Sequence, residues 1–277
     1  MECFYPGKSF PAISTTGERC SLNCRHCARK YLEGMIPATN PDDLLEVAEA
    51  LAERGAKGFL LSGGVDLSGK VRLQDFVDVI KEIKSTTDLL INAHIGLTPK
   101  REIEALVRSG VDAFSVDVYG DRETIREVLG LSARPDDYLQ VARDLASAGA
   151  SVVAPHVCIG IHAGKLGGEH ATIEALREVE PEVLVLISLI PTKGSAYAEV
   201  PAPSRTDILE VVRSARSNLP DAKLLMGCMR SKKDRFLEVE AVSAGLDGIV
   251  LPSDTTVQKL RSEGYVVKKR AVCCALP

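Results

Sequence analysis

The sequence predicts an α/β protein built as a (β/α)8, TIM-type barrel. Three observations carry that expectation. Short β-rich runs recur along the chain, at residues 12–15, 58–61, 89–93, 113–118, 152–157, 183–189, 223–226 and 248–251. Most are continuous apolar runs, the pattern of strands buried on both faces. Helical patterns alternate with them, and several stop at a glycine, the residue that tolerates the left-handed turn past a helix end.

Taken in order, the run 41–51 places Asp42 and Asp43 in a first turn and apolar residues at helical spacing behind them, and it ends near Gly55. The runs 98–109, 138–148 and 236–244 end at Gly110, Gly149 and Gly245. Eight strands alternating with helices imply a barrel whose chemistry sits at the C-terminal ends of the strands. There is no linker, low-complexity tract or composition shift. Residues 1–277 therefore read as one domain, with short tails, 1–9 and 265–277, expected to fold over the barrel mouth.

Composition narrows the function classes. The 277 residues are 45% hydrophobic and 26% charged, as in ordinary globular domains. A net charge of −4 without a basic stripe argues against nucleic acid as the main partner. The absence of tryptophan argues against a sugar- or base-stacking platform. No apolar run reaches the roughly 18 residues of a membrane span, and the first residues lack the basic-then-apolar order of a signal peptide. A cytoplasmic setting is expected. Eight cysteines in such a chain suggest metal ligation more than disulfides. The blocks Lys81-Glu82-Ile83-Lys84 and Lys268-Lys269-Arg270 read as solvated faces.

Three cysteines fall in Cys20-Ser21-Leu22-Asn23-Cys24-Arg25-His26-Cys27, directly after the first candidate strand and so at the rim. Zinc bound by these three would need a fourth ligand, His26 or a distant cysteine. A four-iron cluster held by three thiolates keeps one iron open to a small molecule. The C-x3-C-x2-C spacing resembles the signature of the radical S-adenosylmethionine (SAM) superfamily. The resemblance implies that the open iron holds the methionine amino and carboxylate groups. Electron transfer from the cluster then releases a 5′-deoxyadenosyl radical that abstracts hydrogen, the protein supplying position and dryness. It also makes His26 a wall beside the adenine rather than a ligand, and a reducing setting the expected one.

Further motifs follow in the superfamily's order. Ser62-Gly63-Gly64-Val65-Asp66 leaves the second strand. Paired glycines permit close approach of backbone to a ligand, although such a turn also occurs without one. The resemblance implies that they present carbonyls to the methionine amino group, with valine where an acid is usual and Asp66 one place later. Alternation puts Ser115 and Asp117 on one face of the fourth strand. By resemblance they contact the SAM ribose and carboxylate, and otherwise Asp117 caps a helix. Gly160 and Ile161 resemble the motif beside adenine, and Ile190-Pro191-Thr192-Lys193-Gly194-Ser195 resembles a run of biotin synthase and its relatives. Arg19, Lys165 and Lys193 lie near the rim and read most simply as solvated charges. No catalytic side chain beyond the cofactors is expected.

Five cysteines remain. Each alone would be an inert buried thiol. The placement of Cys228 at the seventh strand's end and of Cys273-Cys274 in the tail suggests a second iron–sulfur cluster, completed by Cys3 or Cys158. By resemblance, Cys158 matches a biotin synthase ligand, and Arg230 resembles that enzyme's arginine ligand. Ser62 and Asn92 stand where its other cysteines would be. The resemblance implies sulfur insertion into an unactivated C–H bond, with a member of the split two-protein lipoyl synthases as the leading reading: an octanoylated lipoyl-domain substrate, a second radical SAM protein, and a ferredoxin or flavodoxin as reductant. A radical SAM mutase, methylase or ring-forming enzyme, and a non-catalytic iron–sulfur scaffold, are the alternatives.

Overall fold

A computed structural model describes residues 1–232 and 234–276. The strands are β1 (Glu2–Phe4), β2 (Ala12–Ser14), β3 (Ile36–Pro37), β4 (Gly58–Ser62), β5 (Leu90–Ile95), β6 (Ala113–Asp117), β7 (Val153–Ile159), β8 (Val183–Ser188), β9 (Lys223–Met226), β10 (Gly248–Val250) and β11 (Lys268–Arg270). All pair in parallel in one sheet of order β11-β1-β10-β9-β8-β7-β6-β5-β4-β2-β3. The eight expected strands are all present to within two residues. Three short strands are added, and no pair among the described residues joins β3 to β11. The barrel is therefore a curled sheet with a seam.

The helices are α1 (Pro41–Glu53), α2 (Val77–Thr86), α3 (Lys100–Arg108), α4 (Arg122–Thr124, running into a π turn at Ile125–Leu129), α5 (Pro135–Ser147), α6 (Glu169–Ala175), α7 (Arg205–Asn218), α8 (Arg235–Ser243) and α9 (Asp254–Ser262). The sequence signals act locally. Asn40 accepts from the Asp43 amide to cap α1, and Pro41 occupies its first turn. Gly55, Gly110, Gly149 and Gly245, one residue past their helix caps, all have positive φ.

Strand alternation gives each strand one face toward the helices and one toward the lumen. Phe59, Leu61, Ile91, Phe114 and Leu184 face outward and share a core with helix residues such as Leu44, Ile80 and Ile103. Inward, Phe4, Ala113, Ala154, Val183, Leu225 and Val250 meet in a second, apolar cluster. Toward the strand ends the inward positions turn polar, with Ser62, His94, Asp117, His156 and Cys158.

Both tails depart from expectation. Glu2–Phe4 is a sheet strand between β10 and β11. Its Glu2 carboxylate pairs with Lys223 at 3.0 Å and Arg270 at 3.2 Å. The C-terminal segment does not lie over the mouth. After β11 it turns into the lumen, where Cys274, Ala275 and Leu276 pack against Phe4 and Val185. The inward apolar side chains at the strand starts need a partner, and the tail supplies it. Lys268 and Lys269 do point to solvent, but on an edge strand, where charge blocks strand addition.

Phe4 is fully buried between β10, β11 and the tail. Phe4→Ala should lower unfolding free energy by about 3–5 kcal/mol, read as a shift in urea midpoint with an unchanged slope.

Candidate functional site

The three-cysteine loop leaves β2 at the rim. Cys27 N–H and Ala28 N–H both bond the Cys24 carbonyl, at 3.3 and 3.0 Å, closing a turn that carries two of the thiols. The chain then passes through Ala28 and Arg29 at φ 45° and 67°. That region costs non-glycine residues of order 1–3 kcal/mol each and persists only where surroundings impose it. They do: Arg25 N–H bonds the Val128 carbonyl at 2.8 Å, Tyr197 N–H bonds the Arg25 carbonyl at 3.1 Å, and Ser21 N–H bonds the Val65 carbonyl at 2.8 Å.

Cys20, Cys24 and Cys27 are free and half-buried. The hydrogen bond from Cys24, with help from His26, lowers the Cys27 thiol to about 4, whereas Cys24 is raised by the same bond. The sulfurs of Cys24 and Cys27 and a His26 nitrogen lie within 4.8 Å of one another, a radius that excludes Cys20. His26 Nδ1 is buried with no hydrogen-bond partner, and its ring centroid is 6.2 Å from that of Tyr31. Three unpaired thiols on one constrained loop beside an orphaned polar atom suit a thiolate-held iron–sulfur cluster.

Gly63 and Gly64 have a role that the sequence did not disclose. A Cβ on Gly64 would lie 2.0 Å from the Arg19 carbonyl oxygen and 2.6 Å from Cys20 Cα. On Gly63 it would meet Thr15 Oγ1 at 2.8 Å. The pair seats the cysteine loop, and Gly64 N–H bonds Thr16 Oγ1 at 2.7 Å. Asp66 accepts from the amides of Ser68 and Lys70, at 2.8 and 3.2 Å, so it braces its own hairpin.

The lumen gathers side chains that sequence reasoning had not connected. His94 Nε2 lies 3.4 Å from Asp117 Oδ2, and the His94 and His156 rings stack at 5.6 Å and 25°. His156 Nδ1 is 2.9 Å from the Ala154 carbonyl. Burial alone would lower His94, but the Asp117 carboxylate overrides it and the pKa is raised. Burial would likewise raise Asp117, and His94 overrides it downward. Burial and the neighbouring His94 lower His156 to about 4. The signal for this layer was available: three polar residues at matching positions on adjacent strands, in runs otherwise apolar.

Several expected contacts are corrected. Ser115 is buried, and its hydroxyl hydrogen-bonds the Asn92 side-chain amide at 3.0 Å. Asp117 caps no helix; α4 is capped by Asp121. Ile161 is 5% exposed and packs in the outer core. Gly160 N–H bonds Glu169 Oε1 at 2.8 Å, with Pro203 against its Cα. Ile190 and Pro191 are half-buried, and Thr192 Oγ1 ties their loop to Tyr31 at 3.1 Å. Ser62 Oγ donates to the His94 carbonyl at 3.3 Å.

Of the remaining cysteines, Cys273 and Cys274 adjoin in the tail, and the exposed Cys228 is their neighbour. Cys274 donates to Cys273, Cys228 feels the charge of Cys273, and Asn92 Nδ2 donates to Cys273 Sγ at 3.3 Å. Cys3 does not join them. It alternates with Phe4 and so points outward, toward Glu238 and Arg261. Cys158 faces the lumen, but its charged neighbours are Asp117 and Glu169. Arg230 is 4% exposed, donates to the Gly227 and Val250 carbonyls at 2.7 Å and pairs with Glu238. Its two terminal nitrogens are thus taken up by structural partners, while its buried Nε has no hydrogen-bond partner.

With this geometry in hand, the comparisons place the protein. The family model for the Radical SAM superfamily matches residues 14–184, and the chain belongs to that family, whose members use a four-iron cluster and SAM. Among curated proteins it is 24% identical over 249 residues to a biotin synthase of Natronomonas pharaonis, covering 86% of this chain and 66% of that one. It is 27% identical over 200 residues to a mitochondrial lipoyl synthase of Ostreococcus lucimarinus, covering 66% of this chain and 47% of that one. The chain thus spans about half to two thirds of these two relatives. Among solved structures, the FeFe-hydrogenase maturase HydG of Carboxydothermus hydrogenoformans superposes with a TM-score of 0.67 at 18% identity, covering 97% of this chain and 67% of that one. Methylornithine synthase PylB gives 0.67 at 16% identity, covering 96% and 82%. Those two define the fold. No helix among the described residues is long and apolar enough to cross a membrane.

Two outcomes are expected here. Gly64→Ala should cost most of the iron bound at the three-cysteine loop while far-UV circular dichroism stays unchanged, because the added methyl displaces Cys20. In the metal-free protein the His94–Asp117 pair should stabilise most between about pH 4 and 6.5, the unfolded values of the two groups being 3.8 and 6.5. Its contribution fades as pH rises through the raised His94 value and as it falls through the lowered Asp117 value. Urea unfolding of Asp117→Asn against the parent across pH 3–9 should show that window.

Proposed function

We propose that this chain is a radical SAM enzyme that inserts sulfur, taken from a second iron–sulfur cluster, into an unactivated C–H bond of a protein-bound octanoyl chain, at the C8 end. The observation that supports the reading best is the second group of thiols, Cys273 and Cys274 in the lumen with the exposed Cys228 as their neighbour. Similarity to biotin and lipoyl synthases supports sulfur insertion as the reaction class.

When bound, the first cluster with SAM supplies a 5′-deoxyadenosyl radical. The chain's own residues then have separable tasks. Cys20, Cys24 and Cys27 hold the cluster, and Gly63 and Gly64 seat that loop and leave their carbonyls for the methionine amino group. His26 and the Ile190-Pro191 loop, joined through Tyr31, wall the adenine. Asp117 is the rim carboxylate within reach of the ribose. The apolar floor formed by the tail excludes water from below, and an octanoyl chain is a suitable occupant because it brings no polar group to the reacting carbon. The partners this reading calls for are a ferredoxin or flavodoxin, an octanoylated lipoyl domain and a second radical SAM protein for the other insertion.

Anaerobically reconstituted protein given SAM, reductant and an octanoyl-lysine peptide should yield 5′-deoxyadenosine and a peptide heavier by one sulfur, read by mass spectrometry. Deoxyadenosine without any sulfur-bearing peptide would remove the octanoyl reading. Cys20→Ala, Cys24→Ala or Cys27→Ala should each abolish SAM cleavage; wild-type deoxyadenosine formation by any of them would remove the cluster assignment.

A further inference from the structure

With Cys3 on the outer face, the terminal nitrogens of Arg230 tied to Glu238 and backbone carbonyls, and Cys158 among carboxylates, three thiols, Cys228, Cys273 and Cys274, would leave a four-iron cluster one ligand short. We propose that His94 supplies that ligand through Nδ1, with Asp117 as the carboxylate that orients the ring. The inference rests on the two-cluster reading above.

Four observations converge. Asn92 and His94 are successive inward positions of β5, and Asn92 Nδ2 already lies 3.3 Å from Cys273 Sγ. One inward step along a strand rises about 6.7 Å, which puts the imidazole above that sulfur on the rim side. His94 and Cys273 lie within each other's electrostatic field, whereas the charged neighbours of His156 are His94 and Asp117 and include no cysteine. Asp117 Oδ2 stands 3.4 Å from His94 Nε2. A histidine that ligates metal through one nitrogen characteristically donates from the other to a carboxylate, which fixes tautomer and ring plane. Nδ1, the nitrogen left over, has no partner among the described residues. Finally, His156 stacks on the ring at 5.6 Å and is itself anchored to the Ala154 carbonyl, so the imidazole cannot swing freely.

The assignment has a chemical consequence. A neutral imidazole in place of a thiolate leaves the cluster less negative and raises its reduction potential, as in centres where histidine replaces cysteine.

The test uses the full chain carrying Cys20→Ser, Cys24→Ser and Cys27→Ser together, grown with 15N-histidine, reconstituted anaerobically with iron and sulfide, and reduced. It should hold about four irons per chain and show a strongly coupled 15N nucleus in pulsed electron–nuclear double resonance. Adding His94→Cys, which preserves a ligand and so guards against simple loss of the cluster, should keep the iron, remove the nitrogen coupling and lower the potential. Adding His156→Gln should keep the coupling. A preparation with full iron and no strongly coupled nitrogen overturns the ligand assignment and leaves the two-cluster reading standing. Coupling that survives His94→Cys but vanishes in His156→Gln also overturns it. Iron near zero in the triple-serine parent overturns the two-cluster reading, and the His94 assignment with it.

Discussion

Along β4–β7 the inward-facing side chains change from apolar to polar, and much of the molecule follows from that gradient. A parallel sheet must bury both faces. The outer face meets helices along its whole length. No helix among the described residues covers the inner face, and that face carries Phe4, Ala113, Val183 and Leu225, which must find apolar partners. The C-terminal segment provides them. Toward the strand ends the same face carries His94, Asp117 and His156, which must pair with one another if they are to be charged or hydrogen-bonded away from bulk water. The lumen is thereby divided into a dry floor and a polar upper layer below the rim.

The seam between β3 and β11 belongs to the same logic. A closed eight-strand ring of tightly packed side chains has no room for a polypeptide segment in its interior. An open sheet does, and here the segment that enters follows directly from the edge strand β11. Leu276 N–H bonds the Cys273 carbonyl at 3.0 Å, so the thiols sit at a turn inside the lumen rather than on an extended arm.

The regular elements were legible because their signals are local. Buried-strand runs, helical spacing, capping residues and terminal glycines each act over a few residues, and the eight strands they define are all among the eleven observed. What escaped is short or non-local. Glu2–Phe4 and Lys268–Arg270 are three-residue strands whose own composition reads as a charged or mixed tail; only their pairing partners make them strands. The three-cysteine loop was legible because its ligands lie within eight residues. Of the second thiol group, Cys228, Cys273 and Cys274 were legible together from their rim and tail positions, but whether Cys3 or Cys158 joins them depends on strand parity and on where the tail goes. Parity alone would have removed Cys3 once Glu2–Phe4 was recognised as a strand. The histidine layer was missed for a different reason: single polar residues in apolar runs look like noise until three adjacent strands are brought into register.

Metal ligation is one way in which a short cysteine-bearing tail can become ordered. The packing argues for a different order of events. β11 pairs with β1 through backbone, Glu2 ties Arg270 and Lys223 together, and Ala275 and Leu276 bury themselves against the floor, all without a metal. Cys273 and Cys274 are thus presented by a segment that folds on its own contacts. A site assembled that way can lose its inorganic sulfur and remain in place. Where binding free energy is the folding free energy, removing the metal unfolds the site; here the thiols, Asn92 and His94 would stay in position. If a second cluster gives up sulfide there, as proposed, that separation between what folds the protein and what is consumed would permit rebuilding.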